Sequence, residues 1–189
     1  MDADFSIELS ADDPVLDFPW TDPEGRFAYL DLKRHPELID QIDEARRFPE
    51  LKEFLRTLNS ARSQFETAKC DAWSTTELTP EEDIFHASHK HASYTDIVFS
   101  DADARRPLPR HEQFAKKLIE LLRRAPEIPS SAEACVRRCY FGQEPAVEEG
   151  LYITLYVTGY GNDETVALQN WGVGLNLVGN AVVQLSRLN

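Results

Sequence analysis

The chain has 189 residues, 42% hydrophobic and 28% charged, a globular composition long enough to build one core without metal or disulfide support. Its 33 acids outnumber 20 bases for a formal charge of −13, which excludes phosphate surfaces, nucleic acid or anionic membrane, as main partners. Four arginine pairs (Arg46-Arg47, Arg105-Arg106, Arg123-Arg124 and Arg137-Arg138) are scattered among acids and read as solvated residues on helix faces.

Residues 1–25 carry −8 by themselves, with no lysine or arginine, which leaves −5 on residues 26–189. Pro14, Pro19 and Pro23 favour extended geometry there. The stretch reads as an acidic, proline-containing N-terminal arm, 1–25, ahead of a single α+β domain, 26–189. Val15, Leu16, Phe18 and Trp20 are too apolar for a solvated tail. The arm is therefore expected to pack on its own domain, or alternatively to clasp a second subunit or partner.

Two short helices are expected next. Pro36 opens the first, with Leu38, Ile39, Ile42 and Ala45 on one face; Pro49 opens the second, with Leu51, Phe54, Leu55 and Leu58. The period then changes. Residues 65–77 and 92–100 read as strands, joined through a turn at 79–82 that Thr79 could cap. A helix follows Pro107 and Pro109, with Phe114, Leu118, Ile119, Leu121 and Leu122 apolar, and Pro126 closes it. Residues 134–141 form a third strand. The strongest strand is 151–157, where Leu151, Ile153, Leu155 and Val157 alternate with Tyr152 and Tyr156.

Residues 163–188 admit two readings. As a helix, Leu168, Trp171, Leu175, Val178, Val182 and Leu185 make one stripe, with Asn162 or Asp163 as cap. As a hairpin, Trp171, Val173, Leu175 and Leu177 alternate, and Gly179-Asn180 makes the turn. The helix accounts for both apolar and polar positions, with Gly172, Gly174 and Gly179 bringing its backbone close to the sheet. The expected fold class is α+β: an antiparallel sheet of about four strands, helices mainly on one face, in a ββα-ββα order that would allow an internal duplication.

The one constellation with metal chemistry is His86, His89 and His91, beside Glu81, Glu82, Asp83 and Asp96, since imidazoles with a carboxylate suit zinc, nickel or iron. On a strand, however, His89 and His91 share a face that His86 does not. Cys135 and Cys139, four apart on a strand, lie ~13 Å from each other and read as small buried hydrophobes. With Cys70 they make an odd count, so no complete disulfide framework is expected. Gly159-Tyr160-Gly161 reads as a loop using positive φ before the helix cap. No phosphate-binding glycine loop, dinucleotide fingerprint or nucleophile elbow occurs.

No apolar run reaches the ~18 residues of a membrane span, and Met-Asp-Ala-Asp lacks the pattern of a signal peptide. The expectation is a cytoplasmic, non-catalytic binding or assembly module for a protein partner or small ligand, homodimeric and without cofactor. Its alternative is a small metal-dependent enzyme built on His86, His89 and His91.

Overall fold

Alternating side chains place the strongest strand at the middle of a sheet. In the computed structural model, which describes residues 1–79, 82, 85–142 and 145–187, that strand is Glu148–Gly161 (β6). Its Leu151, Ile153, Leu155 and Val157 enter one apolar core, and Tyr152 turns to the opposite face. β6 runs antiparallel to both neighbours, Ser130–Phe141 (β5) and His89–Phe99 (β4), and Phe65–Thr75 (β3) forms one edge beside β4. The four strands expected from the sequence are all present.

Among the described residues the sheet nevertheless has six strands, not four. The two extra ones come from the acidic stretch expected to be an arm: Asp2–Glu8 (β1) and Val15–Phe18 (β2) both pair parallel with β5. Their period of two is hidden by acids. In β1, Asp2 and Asp4 are exposed while Ala3 is buried between them; in β2, Leu16 and Phe18 are buried and Asp17 is exposed. Acids on the outer positions of an edge also discourage pairing with another chain.

The C-terminal segment is a helix, Glu164–Ser186 (α4), with the Asp163 carboxylate accepting from the Val166 N–H at 2.9 Å; Leu188 lies outside the described residues. Trp171, Leu175, Val178, Val182 and Leu185 are buried along it as spaced. Pro49–Leu58 (which we call α2) and Leu108–Leu122 (α3) flank α4 on the same face of the sheet. The helix expected from Pro36 is broken in two. Pro36–Gln41 winds as a 3-10 turn and Asp43–Arg47 as α1, because Ile42 between them is extended (φ −87°, ψ 116°). Ile39 and Ala45 stay buried on either side of that break.

The glycines work differently from expectation. β6 continues through Gly159 and Gly161, and neither has positive φ. A Cβ at Gly159 would lie 2.0 Å from the Trp171 nitrogen, and one at Gly161 2.5 Å from the Ala167 nitrogen. These glycines let the first turns of α4 lie directly on the strand it has just left. Gly174 does the same against Ser130, whereas Gly172 and Gly179 face Glu50 and Phe54 of α2. The order strand, strand, helix occurs twice, β3-β4-α3 and β5-β6-α4, with β4 and β6 adjacent at the centre. Among the described residues, no helix is long and apolar enough to cross a membrane.

Candidate ligand-binding cleft

Among the described residues α2, α3 and α4 pack on one face of the sheet, which leaves the opposite face and the outer edge of β3 to loops and β2. One end of that opposite face is closed by a second apolar cluster in which Leu16, Phe18, Cys139, Phe141 and Tyr152 are buried, with Trp20 and Tyr29 against them. Arg105 seals its border. Its guanidinium bonds Glu66 at 2.8 Å and the Phe99 carbonyl at 2.8 Å, and lies 4.7 Å from the Phe141 ring centroid. Arg123 and Arg137 likewise hold β1, through the Ala3 carbonyl and the Glu8 carboxylate. Arg105 and Arg137 are thus structural clamps rather than solvated helix residues, whereas Arg123 stays exposed at the end of α3 while touching β1.

Towards the middle of this face the buried groups are polar. Arg137 donates to Glu8 at 2.7 Å, Thr154 Oγ1 at 3.0 Å and the Tyr156 hydroxyl at 3.1 Å, and Thr154 donates on to Asp96 at 2.7 Å. Burial pushes the Asp96 carboxyl up to about 6, against the opposing pull of Thr154, Arg137 and Lys69. Cross-strand register dictates this grouping, since Cys135, Thr154, Asp96 and Lys69 stand opposite one another in successive strands.

The chain leaves β2 and wraps the outer edge of β3. The Trp20 indole donates to the Ala68 carbonyl at 2.6 Å, Thr21 bridges to Ala28, and the Asp22 carboxylate accepts from the Phe27 N–H at 2.7 Å. That last bond holds the Asp22 carboxyl below the usual range. Gly25 takes φ +69° to complete the turn. Lys33 then reaches the carbonyls of Ser63 and Phe65 at 2.7 and 2.6 Å, while Asn59 accepts from the Thr67 N–H at 3.0 Å. These bonds occupy edge groups of a terminal strand from Phe65 to Ala68.

Between the 20–30 hairpin and β3 lies a cleft of about 670 Å³, walled by Trp20, Phe27, Leu30, Ile42, Cys70 and Tyr94. Phe27 is 58% exposed at its mouth. The lining carries five carboxylates (Asp22, Glu24, Asp43, Glu44 and Asp71) against two bases, Arg26 and Lys69. Arg26 pairs with Glu24 at 2.8 Å, and Asp43 pairs with Arg46. Glu44 and Asp71 have no base within 4.0 Å among the described residues. The Cys70 thiol in the wall is pushed up to about 12, first by burial and then by Glu44 and Asp71.

The histidines of the sequence motif are separated. His86 is exposed with φ 48°, His89 is half-buried with Nδ1 3.1 Å from Ser88 Oγ, and His91 is buried. His91 faces the helices, 4.4 Å from the Trp171 ring and 4.8 Å from Phe48, with Nδ1 2.8 Å from Ser74 Oγ. Its Nε2 has no hydrogen-bond partner among the described residues, and burial pulls its pKa down to about 4. Asp96 points to the opposite face. Glu82 is engaged by Lys90 at 2.7 Å and by the Tyr160 hydroxyl at 3.0 Å; Glu81 and Asp83 lie outside the described residues.

Among the described residues, only Glu8, Glu133 and Cys135 bring three potential ligand atoms within 4.8 Å of one another. They are already satisfied internally. Arg137 holds Glu8, Ser6 lies 3.0 Å from the Cys135 sulfur, and the thiol, pushed up to about 12 by burial, donates to Glu133 at 3.2 Å. Cys135 and Cys139 are buried on one face of β5, as their spacing implied.

The cleft residues were not singled out by sequence reasoning. A signal did exist: Asp22-Pro23-Glu24-Gly25 is a turn sequence set between Trp20 and Phe27, hence a hairpin with aromatic flanks. No family model matches this sequence, and no curated protein or solved structure matches it either.

Proposed function

We propose that the chain is a non-catalytic binding module and that the cleft beside β3 is its ligand site. The carrying observation is the cavity itself. At about 670 Å³ it has the size of a small-molecule pocket, and its walls combine large apolar side chains with a few polar groups, as such pockets do. It sits on a hairpin stapled to a rigid sheet by Trp20, an arrangement that suits recognition. Buried thiols driven well above neutrality argue for binding over cysteine chemistry, because the thiolate is the nucleophile. Three free cysteines fit a reducing compartment such as the cytoplasm.

The test is to plug the cleft without touching the core. Ala28 lines the cleft and is exposed, so Ala28→Trp fills space at the mouth. In a thermal-shift screen with a set of small aromatic fragments, the wild type should be stabilised by some members and the variant by none of those. Fragments that stabilise both proteins equally, or none that stabilise the wild type, would refute this reading.

A further inference from the structure

The charges of the cleft, taken with its aromatic walls, specify the ligand more narrowly than its size does. This inference rests on the cleft being the ligand site. Acids outnumber bases there by five to two. Two of the carboxylates, Asp22 and Glu24, share Arg26, and Asp43 is engaged by Arg46. Glu44 at the start of α1 and Asp71 on β3 remain without an ion pair among the described residues, although both belong to the lining with Cys70. Two unpaired carboxylates lining one cleft attract a cation, and the surplus of acids around them adds to that attraction.

Two aromatic faces of the cleft are already taken, which leaves the unpaired carboxylates to hold a further cation. The protein's own cations already lie over those faces: the Lys69 ammonium is 5.1 Å from the Trp20 ring centroid, and the Arg26 guanidinium is 5.8 Å from that of Phe27. Cations stack on such faces because the ring quadrupole is negative there. An incoming anion would instead meet the surplus of carboxylates and the field of a chain with a formal charge of −13.

We propose that the cleft takes a small organic cation, a protonated amine on an apolar body. The ammonium lies between Glu44 and Asp71, and the apolar body lies along Leu30, Ile42 and the edge of Phe27. Recognition is by charge at one end and by burial at the other. A neutral ligand of the same shape keeps the second part and loses the first.

The experiment uses the full chain and three matched probes: 4-phenylbutylamine, 4-phenylbutan-1-ol and 4-phenylbutanoate, each titrated calorimetrically at pH 7.5. The amine should bind at least tenfold more tightly than the alcohol, and the carboxylate most weakly. The preference should shrink as salt is raised. In the double variant Glu44→Gln/Asp71→Asn, amine affinity should fall at least tenfold to that of the alcohol, with alcohol binding unchanged. Equal affinity for amine and alcohol overturns the cation assignment and leaves the cleft as a binding site. Silence from all three probes also overturns it when aromatic fragments still bind in the cleft. If those fragments fail as well, the reading of the cleft falls with it. A preference for the amine that survives the double variant overturns the assignment to these two carboxylates.

Discussion

Strand β4 looks onto two different environments, and its two buried titratable side chains record the contrast. On the helix face, His91 is packed against Trp171 and Phe48 and is held neutral, its pKa down at about 4. On the other face, Asp96 is buried in a polar network below Arg137 and Thr154, its pKa up at about 6. Burial is the largest cause of both shifts. One face achieves neutrality with an apolar core, and the other keeps ionisable groups under a layer of hydroxyls and an arginine. A sheet therefore does not confer an environment; what packs on each side does.

The largest expected effect breaks the helix face. Trp171 is fully buried, with its indole donating to Ser93 Oγ at 2.9 Å, and its backbone rests on Gly159. Trp171→Ala should cost about 3–5 kcal/mol in urea unfolding, since it removes the largest buried side chain and leaves a cavity under a rigid helix. A loss below about 1 kcal/mol would mean that the core does not depend on this contact.

The next effect sharpens the contrast through pH. His91 has a folded pKa of about 4 against an ordinary value of 6.5, so folding favours its neutral form and stability is lost as pH falls from 6.5 towards 4. Asp96 has a folded pKa of about 6 against 3.8, so folding favours its protonated form and stability is gained as pH falls from 6 towards 3.8. Each is worth roughly 3 kcal/mol over its full window, with opposite sign. Asp96→Asn should therefore be more stable than the wild type at pH 8, by up to about 3 kcal/mol, with the gap closing near pH 4. For His91→Leu the absolute stability is less telling than the slope, and its stability relative to wild type should rise as pH drops below 6. Difference curves from urea unfolding at several pH values isolate each group from the remaining carboxylates. Parallel curves for variant and wild type would remove the stated cause of the contrast.

The legible parts of this fold are those where one period is carried by apolar residues alone. β6 shows a period of two over Leu151–Val157, and α4 shows a helical stripe from Leu168 to Leu185 that outweighs its glycines. β1 and β2 were unreadable for the converse reason. Their alternation pairs small or aromatic residues with Asp, so charge dominated the reading and the parallel pairing with β5 has no local signature. Gly159 and Gly161 were misassigned because their role depends on α4 folding back over the strand it leaves, a contact that composition does not encode. The histidine cluster was close in sequence and divided in space: strand alternation turns His91 into the core, and His86 stands before the strand begins. The cleft had the opposite problem. Its walls come from residues near 20–32, 41–44, 55, 67–71 and 94, and only the turn at 22–25 has a local signature.

The smallest effect tests how the partly open face is built. Trp20 is half-buried, and its main tie to the sheet is the indole bond to the Ala68 carbonyl, at the bulge between Thr67 and Lys69. Phenylalanine keeps an aromatic ring in that place and deletes the donor. Trp20→Phe should cost only about 1 kcal/mol globally, the usual net worth of one such bond. Its real consequence should be local, because Trp20 and Tyr29 pack on the opposite-face cluster and, of the 20–30 hairpin, Leu30 alone is packed against the helix-side core among the described residues. Amide hydrogen exchange should quicken for the N–H groups of Asp22, Gly25 and Tyr29, which are bonded within the hairpin, while those in α4 and β6 keep their protection. Uniformly faster exchange through α4 would mean that the hairpin and the helix-side core open as one cooperative unit, and the two faces would then differ in chemistry but not in stability.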